Sequence, residues 1–150
     1  IIFSLDLMQS YYVDSCIYLN LWRKEVAFDG FKFWKIAEDF FKFVDGNNAI
    51  VYYSGYLLKE LSFLLDDSEI NKKILLFKKS SNFKKISLSL EDYELARKIE
   101  VKIDYELGFF DIIHMLLARK NDSILITRDR KLIEISERYN VKAAKPEELL

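Results

Sequence analysis

The sequence predicts an α/β fold: a single-domain, three-layer α/β/α sandwich around a mostly parallel central sheet. Short β-prone runs alternate with segments of helical periodicity along the whole chain, the order that a parallel sheet between helical layers imposes. Four Gly and one Pro in 150 residues leave no flexible linker to divide it. Acids stand directly after two of the strand-like runs, at Asp14 and Asp129. In an open α/β sheet that edge is where ligands bind.

The sequence begins on Ile rather than Met, and no weight is set on residues 1–9 within a domain taken as 1–150. Residues 11–13, extended at most to Ser10, form a short strand that stops at Asp14, and 16–22 have the apolar density of a helix. Residues 31–44 carry Phe33, Ala37, Phe40 and Val44 at helical spacing. With the preceding helix they make an αα-hairpin with six large aromatics: Phe28, Phe31, Phe33, Trp34, Phe40 and Phe41. Most of these are expected in the core, and the rest offer a partner surface. Gly46, Asn47 and Asn48 end the helix.

Residues 49–53 form the second strand, and Ser54 is suited to cap a helix over 55–65. On that helix Leu57, Leu58, Leu61, Leu64 and Leu65 share one stripe, with Glu60 on its edge. Residues 68–79 are a polar amphipathic helix and 83–87 a strand. Lysines come in pairs here, at Lys72 and Lys73, Lys78 and Lys79, Lys84 and Lys85; a solvated face explains them more simply than phosphate contacts do. Ser89 to Asp92 has capping-box form and opens a helix to about Ile103, followed by a loop over 104–108.

Residues 109–118 are apolar almost all round, the pattern of an enclosed helix, and yet include Asp111. Residues 124–127 read as a buried strand that ends in the charged run Arg128, Asp129, Arg130, Lys131. A helix over 130–140, a last strand over 141–144 and a tail over 146–150 complete the order.

Composition bounds the function. A chain that is 51% hydrophobic and 15% aromatic has enough apolar residues for one sizeable core. A net charge of −1 and a pI near 6.0 give no overall electrostatic case for nucleic acid, so such a partner needs a local basic patch or metal ions. The single cysteine, Cys16, fits a reducing compartment, and the expected location is cytoplasmic. No apolar run approaches the ~18 residues of a membrane span, and no membrane partner is expected.

Parallel topology gathers strand ends, so one shallow cleft is expected to collect Asp14, Glu60, Asp111 and Asp129. Such a group cannot ionise fully in an apolar cleft unless a cation neutralises it. Oxygen ligation suits Mg²⁺ or Mn²⁺ rather than zinc. Ions of that kind activate water for attack on a phosphodiester.

Four elements, taken together, resemble the PIN domain: V-D-S at Val13 to Ser15, the S-x5-E spacing from Ser54 to Glu60, D-x2-H-x3-A from Asp111 to Ala118, and I-T-R-D from Ile126 to Asp129. The K-P-E-E-L tail from Lys145 is similar too. The resemblance implies a metal-dependent ribonuclease like the VapC-type toxins of toxin–antitoxin pairs, acting on RNA. It also implies a homodimer, and an antitoxin segment docking on the aromatic helices before Gly46. Residue by residue, Asp14, Glu60, Asp111 and Asp129 match the family's catalytic metal site, Thr127 the hydroxyl orienting the last acid, and Ser15 the small hydroxyl residue after the first. Cys16 departs from the small polar residue often found there and is read as a small buried hydrophobe.

Arg128 and Arg130 flank Asp129 as candidates for substrate phosphates, against an equal case for plain surface charge. His114, the single histidine, is expected to be a satisfied structural group without a catalytic or ligand role. The alternative to an enzyme is a PIN-like module that binds RNA or protein without cutting. An aspartyl phosphatase is disfavoured, because Cys16 stands where such enzymes carry a second acid.

Overall fold

The computed structural model describes residues 9–150; the segment set aside above lies, but for Gln9, outside the described residues. Five strands, β1 (Ser10–Val13), β2 (Ile50–Ser54), β3 (Phe83–Ile86), β4 (Ile124–Ile126) and β5 (Ala143–Ala144), pair in the order β3-β2-β1-β4-β5. Every pairing is parallel. Between them run seven α-helices: α1 (Ser15–Trp22), α2 (Phe33–Gly46), α3 (Gly55–Leu64), α4 (Asp67–Lys79), α5 (Leu90–Lys102), α6 (Phe109–Lys120) and α7 (Arg130–Arg138). A 3-10 turn, Pro146–Leu149, ends the chain.

Period-two alternation divides the strands between two cores. Tyr11, Val13, Val51, Tyr53, Ile124 and Ile126 face the layer of α1 to α4, while Tyr12 and Leu125 face α5 to α7. This is the expected α/β/α sandwich, with a sheet that is parallel throughout rather than mostly so. The chain fills β1, β2 and β3 outward in one direction, then returns to add β4 and β5 on the other side of β1. The strand order therefore switches between β1 and β4, and the crevice at their carboxyl ends is the natural ligand site of such a sheet.

Local chemistry sets the helix limits. α1 starts at Ser15 because the Asp14 side chain caps it. α2 starts at Phe33, two residues later than periodicity suggested, because residues 27–31 are taken up by a tight loop. In that loop Ala27 N–H donates to Phe31 O, Asp29 Oδ1 accepts from Phe31 N–H, and Gly30 adopts φ +92°. That conformation favours glycine. Ser54 Oγ accepts the Leu57 amide at 3.1 Å, and Ser89 and Asp92 make the full capping box. α7 ends at Arg138, since Ser136 O takes the Val141 amide across Asn140 at φ +59°.

Of the six aromatics of the hairpin, expected mostly in the core, only Phe40 is buried; Phe33, Trp34 and Phe41 are half-buried, because the hairpin lies on the outside of its layer. Phe40 is fully buried with its ring edge-on to Tyr11 at 5.4 Å, whereas Phe28 and Phe31 are exposed. Tyr18, Leu21, Trp22 and Phe41 of the hairpin face Leu76, Phe77 and Phe83 across an apolar cleft of about 120 Å³. Among the described residues no helix is long and apolar enough to cross a membrane.

Candidate metal centre

At the carboxyl end of β1 the backbone continues the ladder for one more bond, Asp14 N–H to Ile126 O at 2.9 Å. This places Asp14 over the switch point. It is 5% exposed, and four donors hold it. Oδ1 accepts the Ser15 amide at 2.7 Å and lies 3.5 Å from the Ser15 hydroxyl. Oδ2 accepts the Thr127 hydroxyl at 2.7 Å and the Cys16 thiol at 3.5 Å.

Two expectations are corrected here. Thr127 was assigned to the last acid, yet its hydroxyl proton goes to the first; what Asp129 shares with it is its own amide, donated to Thr127 Oγ1 at 3.1 Å. One buried hydroxyl thus ties both acids. Cys16 is half-buried and turns its thiol toward Asp14 rather than acting only as a hydrophobe. Burial, and then the Asp14 charge, push that thiol far up, so it stays protonated and donates.

Asp129 is exposed and caps α7, its Oδ1 accepting from the Lys131 and Leu132 amides at 3.0 and 3.2 Å. Glu60 and Asp111 lie on α3 and α6, which pack against each other, and both are half-buried. The ligand atoms of Asp14, Glu60 and His114 all lie within 4.8 Å of one another. Asp111 and Asp129 stand outside that compact trio. They remain within its field: burial, then the Asp14 charge, with lesser contributions from Glu60 and Asp129, push the Asp111 carboxyl up to about 7 against the opposing pull of His114. An open cleft of about 340 Å³, lined by Glu60, Gly108, Phe109, Phe110 and Asp111, gives access from solvent.

His114 is fully buried and satisfied, as expected, but its partners make it part of the site. Nε2 lies 3.0 Å from Glu60 Oε1, and Nδ1 2.7 Å from the Tyr12 hydroxyl. Tyr12 in turn lies 2.7 Å from Ser54 Oγ. Burial works against a charge on Glu60, but the hydrogen bond and charge of His114, with the Ser15 hydroxyl, outweigh it and lower its pKa. Local pattern shows the faces these residues occupy but not their partnership. Tyr12 alternates onto the face opposite Val13, and His114 stands one turn after Asp111 on a helix with no exposed side.

The two arginines part company. Arg128 is turned inward: Nε donates to Asn20 Oδ1 at 3.1 Å, Nη1 to Glu147 Oε2 at 3.0 Å, and the guanidinium lies 4.4 Å over the Phe33 ring. Those contacts hold Nε and Nη1 on protein acceptors, while Nη2 is buried without a partner. Arg130 is exposed at the start of α7, beside Asp129.

The PIN domain profile matches residues 11–138, which takes in β1 through α7 and all four acids, and the chain belongs to the PIN domain family. Its fold is shared by chains of known structure. The FitAcB structure from Neisseria gonorrhoeae matches at 13% identity with a TM-score of 0.60, covering 91% of this chain and 98% of that one. VapBC2 from Rickettsia felis, bound to a DNA fragment from its promoter, matches at 15% with a TM-score of 0.64 and the same coverage. VapBC-1 from nontypeable Haemophilus influenzae matches at 17% with a TM-score of 0.62, covering 93% and 99%. No curated protein matches this chain.

Proposed function

We propose that this single domain is an endoribonuclease that needs Mg²⁺ or Mn²⁺ and cleaves RNA phosphodiesters at the acidic cleft. The observation that carries the reading is Asp111: a half-buried acid pushed up to about 7 by its burial and three neighbouring acids marks an excess of negative charge that a divalent cation offsets. The donor set fits such an ion. Asp14 and Glu60 supply oxygens within 4.8 Å of each other, we infer that Asp111 and Asp129 complete a hard-cation set from the cleft's rim, and the one imidazole nearby already has partners on both nitrogens.

When bound, the ion supplies Lewis acidity to a phosphodiester and acidifies water. The chain does the rest. Asp14, clamped by Ser15, Cys16 and Thr127, and Asp129, clamped by the first amides of α7, present carboxylates whose orientation is set before substrate arrives. Arg130, exposed beside Asp129 at the start of α7, is the candidate for contact with the substrate backbone.

Single-stranded RNA incubated with the wild type and Mn²⁺ should be cut, and cleavage should fall to background with Asp14→Asn. Equal cleavage by both proteins overturns the reading. RNA binding retained without cleavage by the wild type would make the domain a binding module instead.

The same reading extends to a toxin acting in the cytoplasm with an antitoxin partner, whose docking place is the apolar cleft lined by Tyr18, Trp22, Phe41 and Phe77. Failure of the product of an adjacent reading frame to bind the purified protein removes that extension. A homodimer is the expected assembly, with the exposed Phe63, stacked on Phe110, as apolar surface. Light scattering that returns a monomer rejects it.

A further inference from the structure

The acids of the cleft are not aimed by the same means. Asp14 and Asp129 each cap a helix, so backbone amides fix them. Glu60 sits in the interior of α3, at the end of a longer side chain whose rotamers no cap restricts. Its closest side-chain hydrogen bond, at 3.0 Å, runs to His114 Nε2, with the Ser15 hydroxyl as a weaker partner. We propose that His114 is a positioning residue: it holds Glu60 Oε1 through Nε2–H, leaving Oε2 for the metal ion, while Tyr12 and Ser54 fix the imidazole from behind. The inference rests on reading Glu60 as a metal ligand.

Donor logic fixes the end of the relay at Glu60. An ionised carboxylate only accepts, so Nε2 carries a proton. In the neutral ring Nδ1 accepts from the Tyr12 hydroxyl and the Tyr12 oxygen from the Ser54 hydroxyl; in the charged ring Nδ1 donates to Tyr12 instead, and Nε2 donates to Glu60 in both. Ser54 Oγ itself accepts the Leu57 amide. Tyr12, Ser54 and His114 are all 0% exposed, so water offers no substitute partner, and each buried polar atom of the three is used. The relay also spans four elements, β1, β2, α6 and α3. It therefore couples the distance between Glu60 and Asp14 to the sheet itself, in the manner of the outer partners that orient metal ligands elsewhere.

Three variants and one spectrum test it. Mn²⁺ affinity, from calorimetry and from the metal-induced rise in melting temperature, is measured for the wild type, His114→Leu, His114→Gln and Tyr12→Phe. Loss of the donor in His114→Leu should weaken Mn²⁺ binding about 10- to 100-fold. His114→Gln, which restores an N–H, should recover most of it, a rescue that a purely structural role would not produce. If His114→Leu fails to fold, Tyr12→Phe, which removes one oxygen, decides: weaker Mn²⁺ binding supports the relay and wild-type affinity overturns it.

Nitrogen NMR of the imidazole at pH 8 should find Nε2 protonated, without and with Mg²⁺. A bare Nε2, or one that loses its proton when Mg²⁺ is added, makes His114 something other than the donor and overturns the inference. A wild type that binds no Mn²⁺ fails the metal centre as a whole. A wild type that binds it while folded His114→Leu binds equally well fails the positioning role alone.

Discussion

Asp111 carries the largest electrostatic penalty in the cleft, and its sign makes it testable. The carboxyl is raised from its ordinary 3.8 to about 7 by burial and by Asp14, Glu60 and Asp129. The folded chain therefore keeps a proton that the unfolded chain releases, so the stability tied to this group is present below about pH 4 and lost as pH rises to about 7. Asp111→Asn removes that dependence while leaving the other groups to titrate. Above pH 7 the metal-free variant should be more stable than the wild type by roughly 1–3 kcal/mol, and the difference should shrink steadily toward pH 4 in urea melts. Saturating Mn²⁺ should reverse the order, since only the wild type offers the carboxylate. Thr127 is the second residue of consequence. Thr127→Val keeps the shape but removes the donor to Asp14 Oδ2 and the acceptor for the Asp129 amide; it should cost about 1–3 kcal/mol in chemical denaturation.

Among the elements, the C-terminal turn is the one whose attachment sequence reading left open. Residues 146–150 read as a tail, yet Pro146–Leu149 forms a 3-10 turn packed on α2, with Leu149 against the core. Arg128 pins it there through Glu147. Arg128 thus joins the end of β4 to the end of the chain. Glu147→Ala leaves a mostly buried guanidinium without its counter-charge. The loss should be roughly 1–2 kcal/mol, below the 3–5 of a fully buried pair because Glu147 keeps some solvent. Hydrogen exchange should locate the loosening at the turn rather than in the sheet. Helix starts, by contrast, were readable wherever a side chain supplied the cap, as Ser54 and Ser89 do. They were misplaced where the backbone decided, as in the loop before Phe33.

At the scale of the whole molecule, the reversal of strand order between β1 and β4 does the gathering. It brings Asp14 and Thr127, 113 positions apart, into one hydrogen bond. An ion binding there and only in the folded state should stabilise it by mass action. Mn²⁺ at 100 times its dissociation constant should add roughly 2.7 kcal/mol, read as a rise in melting temperature that Asp14→Asn abolishes. A melting temperature indifferent to Mn²⁺ would remove the basis for a shared centre.

Period-two and period-3.6 patterns are local, and so the alternation of strands and helices, the α/β/α layering and the position of Asp14 and Asp129 past strand ends could all be read before any coordinates. They depend only on which neighbours along the chain are apolar. Partnerships do not. That Thr127 serves Asp14, that Arg128 serves Glu147, and that His114 links Tyr12 to Glu60 are contacts between residues 19 to 113 positions apart, and hydrogen bonds at that range leave no periodic trace. Only tertiary packing selects them, of helices over the sheet edge and of the C-terminal turn on α2, because burial there favours polar atoms that find an acceptor or donor within a few ångströms.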